Sequence, residues 1–169
     1  ELLQALRNYG VDLIQMANSS IVNGGYSGLV TTLSNIRGEG IEPIGVFSST
    51  EEFRKAKGYT ICEVGDIKIA LVAFTKGMGG RGLPEGSEDC VNLLYTDYAT
   101  TYREIDKEGI TSVLQAAANE DPDITIALLH WGSEYHEDIS ETQEDIRDLM
   151  LAEGVDAIIG THSHLVQKI

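Results

Sequence analysis

The sequence predicts an α/β fold with a largely parallel central sheet and an antiparallel hairpin at one side. Three observations carry this. Short apolar runs alternate with helical patterns along most of the chain, the order that a parallel sheet with crossover helices requires. Two apolar runs, 59–64 and 67–74, are separated only by Gly65-Asp66, which is a hairpin signal. Residues 124–129 are apolar throughout, as a central strand buried on both faces has to be.

The elements follow in order. Leu2, Leu3 and Leu6 have helical spacing, and Gly10 ends that helix. A short strand is expected over 11–17, then a polar, glycine-rich turn over 18–25. Leu29, Leu33 and Ile36 share one face of a helix over 27–37. A second strand covers 41–47, and Thr50 is placed to cap a short helix reaching Lys57. The hairpin comes next. From 75 to about 99 the chain is glycine-rich and irregular, a loop length usually reserved for functional or mobile segments. A helix over 110–119 leads into the apolar strand at 124–129. Ser140 and Gln143 have the spacing of a capping box for a helix over 141–153. Gly154 stops it, and 155–159 is the last strand.

Composition narrows the function. The chain has 169 residues, one domain's worth, and 42% hydrophobic residues, enough for a core. No run approaches the roughly 18 apolar residues of a membrane span. A net charge of −15 repels phosphate backbones, so nucleic acid is excluded as a partner. It also repels an anionic polymer unless a metal or a local basic patch intervenes. Cys62, in an apolar run, is expected as a core thiol, and its spacing from Cys90 leaves a disulfide open.

Three polar clusters directly follow predicted strands: Asn18-Ser19-Ser20, His130-Trp131-Gly132, and Gly160-Thr161-His162-Ser163-His164. Ligands of α/β sheets bind outside the carboxyl ends of strands. Three of the four histidines therefore fall on one sheet edge, while His136 lies in an acidic loop. His162 and His164 are two apart and would point the same way from an extended segment. Neutral imidazoles suit zinc, manganese or iron, so His130, His162 and His164 are candidate metal ligands. The alternative is that they bond backbone groups at strand ends. Trp131 either stacks on a ligand or plugs the sheet edge. Glu134 either orients a histidine or belongs to a solvated acidic loop.

The run from His130-Trp131-Gly132-Ser133-Glu134-Tyr135, through Gln143 on a helix, to Gly154-Val155-Asp156-Ala157-Ile158-Ile159-Gly160-Thr161-His162-Ser163-His164 resembles the bacterial capsule and poly-γ-glutamate biosynthesis family. That family carries His-Trp-Gly-x-Glu-Tyr, a Gln-bearing helix, and Gly-Ala-Asp-x-Val-Ile-Gly-x-His-Pro-His. Upstream, Ala17-Asn18, Gly25, Gly28-Leu29 and Thr32-Leu33 match its Ala-Asn-Asn-His-x-x-Asp-x-Gly-x-x-Gly-Leu segment. The resemblance is weakest from about 76 to 109.

The resemblance implies a metallophosphatase-like layered sandwich and a divalent metal site, with metal-activated water as the reagent where the site is complete. It places the family's Asn-His pair on Ser19 and Ser20, and its following Asp on Asn23. Serine is a poor ligand and no imidazolium acid, so the metal is expected to be weakly bound or absent here. The family's acidic Gly-Asp and Asn-Leu-Glu segments are not found in residues 1–169, which implies a chain covering part of one family domain, short at both ends. Asn18 is expected to line the site. The implied partners are the capsule or poly-γ-glutamate synthesis machinery. The implied location is the extracytoplasmic cell envelope, with membrane contact only through segments outside this chain.

Overall fold

The computed structural model describes residues 1–167. Its strands form two stacked sheets. In the first, β1 (Leu13–Gln15) pairs in parallel with β2 (Glu42–Ile44). In the second, β3 (Tyr59–Val64), β4 (Ile67–Thr75), β5 (Ile124–His130) and β6 (Ala157–Thr161) lie in that order. The β3–β4 pair is antiparallel and the β4–β5 and β5–β6 pairs are parallel, as expected. The hairpin closes with Val64 opposite Ile67, and Gly65 takes the left-handed backbone (φ 62°) that the tight turn demands.

The two-sheet arrangement depends on close approach after β2. A Cβ on Gly45 would stand 2.7 Å from the Ala73 carbonyl oxygen and 2.9 Å from the Ala17 Cβ. Only glycine lets the small sheet settle on β4 there. Ala17, Ile44, Leu71 and Ala73 fill the space between the sheets.

Alternation along β4 and β5 sends their other residues to the opposite face. Ala70, Val72, Phe74, Ala127 and Leu129 pack there against α4 (Lys107–Ala118) and α5 (Glu141–Ala152). The buried positions of α4, Ile110, Val113, Leu114 and Ala117, follow the i, i+3, i+4, i+7 rule. Each fully buried side chain of this size contributes about 1.5–3 kcal/mol. β5 is therefore sealed on one face and only half-buried on the other. On the far side of the small sheet, α2 (Gly25–Gly38) buries Leu29, Leu33 and Ile36. The layers run helix, sheet, sheet, helix.

The capping box is present as read: the Ser140 hydroxyl accepts from the Gln143 amide and the Gln143 side chain returns to Ser140. Other expectations need correction. α1 (Leu2–Asn8) forms, but the strands expected over 11–17 and 41–47 shrink to three residues each; beyond Ile44 the chain pairs with 90–92 instead, the Gly45 carbonyl accepting from the Asn92 amide and Val46 bridging Val91. The cap of α3 (Thr50–Ala56) is Ser49, not Thr50: the Ser49 hydroxyl accepts from Glu52, while Thr50 donates to the Gly86 carbonyl.

The irregular segment after β4 is a packed part of the core. Met78, Cys90, Val91 and Leu94 are buried, and bridges join Val46 to Val91 and Thr75 to Leu93. The Asn92 side-chain amide clamps it, donating to Gly58 (2.7 Å) and Ala73 (3.0 Å) carbonyls. Cys62 is only half-buried, Cys90 is buried, and both are free thiols. Among the described residues no helix is long and apolar enough to cross a membrane.

Candidate functional site

Four chain segments meet at the carboxyl ends of the strands. His130 is the last residue of β5, in register with Thr75 of β4 and Thr161 of β6. Its Nδ1 lies 3.2 Å from the Thr161 hydroxyl and its Nε2 lies 3.2 Å from the Ser19 hydroxyl. Thr161 already donates its proton to the Leu129 carbonyl. With that proton on the carbonyl, the hydroxyl accepts from Nδ1–H, the tautomer that leaves the Nε2 lone pair facing Ser19. Burial, first, and then the charges of His162, Lys76 and His164 push the His130 pKa down to about 4, against the pull of Glu134. The ring is neutral at physiological pH, the form that donates a lone pair.

The His162 ring centre lies 4.6 Å from that of His130. Burial lowers its pKa too, with Lys76 adding to the shift and Glu134 opposing it. One Glu134 carboxylate oxygen lies 3.9 Å from His162 Nδ1 and 3.8 Å from His164 Nε2, beyond hydrogen-bond length in both cases. His164 is exposed and stacks on Tyr135, with ring centres 5.3 Å apart. His136 stays in its loop and meets the Glu134 carbonyl at 2.8 Å.

The segment carrying His162 and His164 is not extended, contrary to expectation. Both residues have left-handed backbone, φ 93° and 57°, as does Tyr135 at 59°. Such angles are uncommon outside glycine and mark strained positions. The loop is pinned by the Tyr135 amide donating to the Ser163 carbonyl (2.7 Å) and the Ser163 hydroxyl donating to that of Leu165 (2.7 Å). The turn, not strand alternation, brings both imidazoles to Glu134.

The remaining candidates divide. Ser19 faces His130. Asn18 turns its amide inward, donating to the Met16 carbonyl (3.0 Å) and accepting from the Ser20 amide (2.9 Å), so both ends are occupied locally. Ser20 is exposed. Asn23 is exposed and accepts from Arg81 at 2.9 Å. Trp131 is 7% exposed and joins the helix-side core, where the bare Cα of Gly160 admits it: a Cβ there would stand 2.7 Å from the indole nitrogen. That burial favours the plug over the stacking platform.

Sequence reading missed Lys76 and Arg81. Lys76 follows β4 directly, so the rule that selected the histidines points to it as well. Its ammonium donates to the Gly132 carbonyl at 2.6 Å and lies 5.2 Å from the Tyr102 ring centre. Burial lowers its pKa, opposed by Glu134.

The donor types suit a borderline divalent ion, three imidazoles and one carboxylate being nitrogen and oxygen ligands. The arrangement does not close around one. Among the described residues no group of three or more His, Cys, Asp or Glu side chains converges on a point that could hold a metal ion. Asn18 is held in its own loop, its amide oxygen accepting from Ser20 and its amide nitrogen donating to Met16.

Stacked sheets flanked by helices, with histidines at the strand ends, make up an α/β fold of the metallophosphatase-like kind. A crystal structure of a Staphylococcus aureus protein described as a 5′-nucleotidase, in complex with alpha-ketoglutarate, shares this fold with a TM-score of 0.55 at 13% identity. The match covers 96% of this chain and 31% of that one. The chain belongs to the family described as bacterial capsule synthesis protein PGA_cap, which it matches over residues 1–169. It is 24% identical over 169 residues to the PGA biosynthesis protein CapA of Bacillus subtilis (strain 168), covering 100% of this chain and 41% of that protein. It is 22% identical over 168 residues to the capsule biosynthesis protein CapA of Bacillus anthracis, covering 99% of this chain and 38% of that protein. The chain thus spans about two fifths of the length of these relatives.

Proposed function

We propose that the chain serves capsule or poly-γ-glutamate synthesis or export at the extracytoplasmic face of the cell envelope. Its partners there are the synthesis machinery, and its metallophosphatase-like site holds a divalent ion (manganese, zinc or iron) weakly. The observation that carries this reading is the 3.2 Å contact between Ser19 and His130 Nε2. A hydroxyl stands where the resemblance puts an amide ligand, so the lone pair best placed to bind a metal faces a group that cannot share one effectively. His162, His164 and Glu134 remain close by as a partial set. In this reading the domain binds its anionic ligand without cleaving it.

A working hydrolase is the second reading. It is favoured by the His130 tautomer, whose protonated Nδ1 frees Nε2 as a ligand. Calorimetric titration with manganese and zinc separates the two. Ser19→Asn together with Ser20→His should raise metal affinity about tenfold or more, the scale at which supporting ligands act. Unchanged affinity in the double variant would reject the partial-site reading, and tight binding by the unaltered chain would favour the hydrolase.

A further inference from the structure

We propose that Lys76 and Arg81, on the loop leaving β4, form an oxyanion-binding subsite beside the strand-end histidines, taking a carboxylate or phosphate group of the ligand. This deepens the proposed function and rests on its reading of the strand ends as a ligand site.

The chain carries 12 Lys and Arg residues against 27 Asp and Glu. Two of those cations approach the Ser19–His130 pair from the same loop. Lys76 is fixed by backbone pairing, its amide donating to the His130 carbonyl at 2.9 Å. Gly77 then lets the loop lie flat on its neighbours: a Cβ there would stand 2.5 Å from both the Tyr102 ring and the Tyr98 carbonyl. That path sets the Lys76 ammonium over Tyr102 and within 2.6 Å of the Gly132 carbonyl.

The ammonium is half-buried, and no carboxylate lies within salt-bridge distance of it among the described residues. Burying a cation without a counter-charge is costly, and one carbonyl with one aromatic face offsets only part of that cost. An ammonium has three N–H groups, and among the described residues one acceptor, the Gly132 carbonyl, meets it. An oxyanion would accept from the others. Lys76 also acts at a distance on the histidines, since its charge disfavours protonation of both His130 and His162.

Arg81 arrives from the other side. Its Nη1 donates to Asn23 at 2.9 Å, which ties the β4 loop to the turn after β1. Between them stands Gly79, with φ 63°; a Cβ there would lie 3.6 Å from Arg81 Nη1 and 3.7 Å from the Ser19 carbonyl oxygen. The planar guanidinium keeps free N–H groups in the fork geometry that suits carboxylate and phosphate. Glu134 acts on Lys76 from beyond salt-bridge distance, and it lies 3.9 Å from His162 and 3.8 Å from His164. Lys76 and Arg81 thus put two cations at the strand-end edge of a chain of net charge −15. That is the basic patch an anionic ligand needs to approach such a surface.

The test titrates the full chain, with chelator present and at low salt, using inorganic phosphate and separately a γ-linked triglutamate. Binding is followed by calorimetry for the unaltered chain, K76M, K76R and R81Q. One or both probes should bind, and the probe that binds identifies the oxyanion. K76M and R81Q should each weaken it about tenfold, the loss expected for one charge-assisted contact, while K76R stays within about threefold of the unaltered chain. Arg81 is exposed, so R81Q should fold even if K76M does not. No binding of either probe, or affinity unchanged in R81Q and in folded K76M, overturns the proposal. The same preparations titrated with manganese and zinc in the absence of chelator separate the two readings: a failure of the metal reading shows there and leaves the metal-free anion titration unaffected.

Discussion

The helix-backed face of the large sheet and its strand-end edge are built from the same strands by different means. On the face, β4 and β5 present Val72, Phe74, Ala127 and Leu129 to α4 and α5, and every contact follows from strand alternation or helical period. At the edge, the same strands run out into His130, Lys76 and a loop whose histidines have left-handed backbone. The face is regular and apolar, and the edge is strained, polar and half-buried. The difference shows where stability resides and where chemistry has been placed against it.

The largest effect belongs to the face. Phe74→Ala should lower the unfolding free energy by about 3–5 kcal/mol, since Phe74 is 1% exposed and its cavity cannot collapse between two packed layers. Urea denaturation reads this directly. A loss below about 1 kcal/mol would mean that the face is not the stabilising half.

The edge should behave in the opposite way. His164→Gly removes an exposed imidazole from a left-handed position and should raise stability by about 0.5–1 kcal/mol, even though the stack on Tyr135 is lost. A destabilised variant would show that the edge is held by contact rather than carried under strain.

A smaller effect lies remote from both regions. Burial pushes the Glu52 carboxyl up, but hydrogen bonds from the Ser48 amide (2.7 Å) and hydroxyl, together with Arg37, outweigh it and hold the group below its ordinary value of 4.5. A carboxyl depressed in the folded state stabilises above its unfolded pKa, and that contribution is lost as pH falls through the folded pKa. Glu52→Gln should therefore cost a few tenths to about 1 kcal/mol at pH 7. The gap between variant and parent should close below pH 4.5 as the carboxyl protonates. A gap that persists at lower pH would assign the effect to packing.

The same comparison explains what could be read in advance. The β3–β4 hairpin, which closes at Val64–Ile67, and the Ser140–Gln143 capping box are each set by residues three apart, so sequence showed them. The metallophosphatase-like layering was legible only through the family resemblance. The division into two sheets hangs on Gly45 meeting Ala73 and Ala17, a contact no periodicity announces. Ser49 displaced Thr50 as a cap because both hydroxyls are chemically suited and only the backbone at the helix start decides. At the site, topology pointed to the carboxyl ends of β5 and β6 for His130, His162 and His164. It could not show the left-handed turn at His162, the closure of Asn18 on its own loop, or the Lys76 ammonium held over Tyr102 by a glycine. Each of those depends on neighbours distant in the chain.

Whether this edge, as built, can hydrolyse a phosphoester is the most direct test of a partial metal site. Two divalent ions a few ångströms apart repel and need anionic ligands between them, and here one carboxylate, Glu134, stands close to the His162 and His164 imidazoles. The purified chain, assayed with excess manganese or zinc and an activated aryl phosphodiester, should give no saturable turnover above the metal-only background. Turnover that saturates, disappears with chelator and is lost in His162→Ala would contradict it.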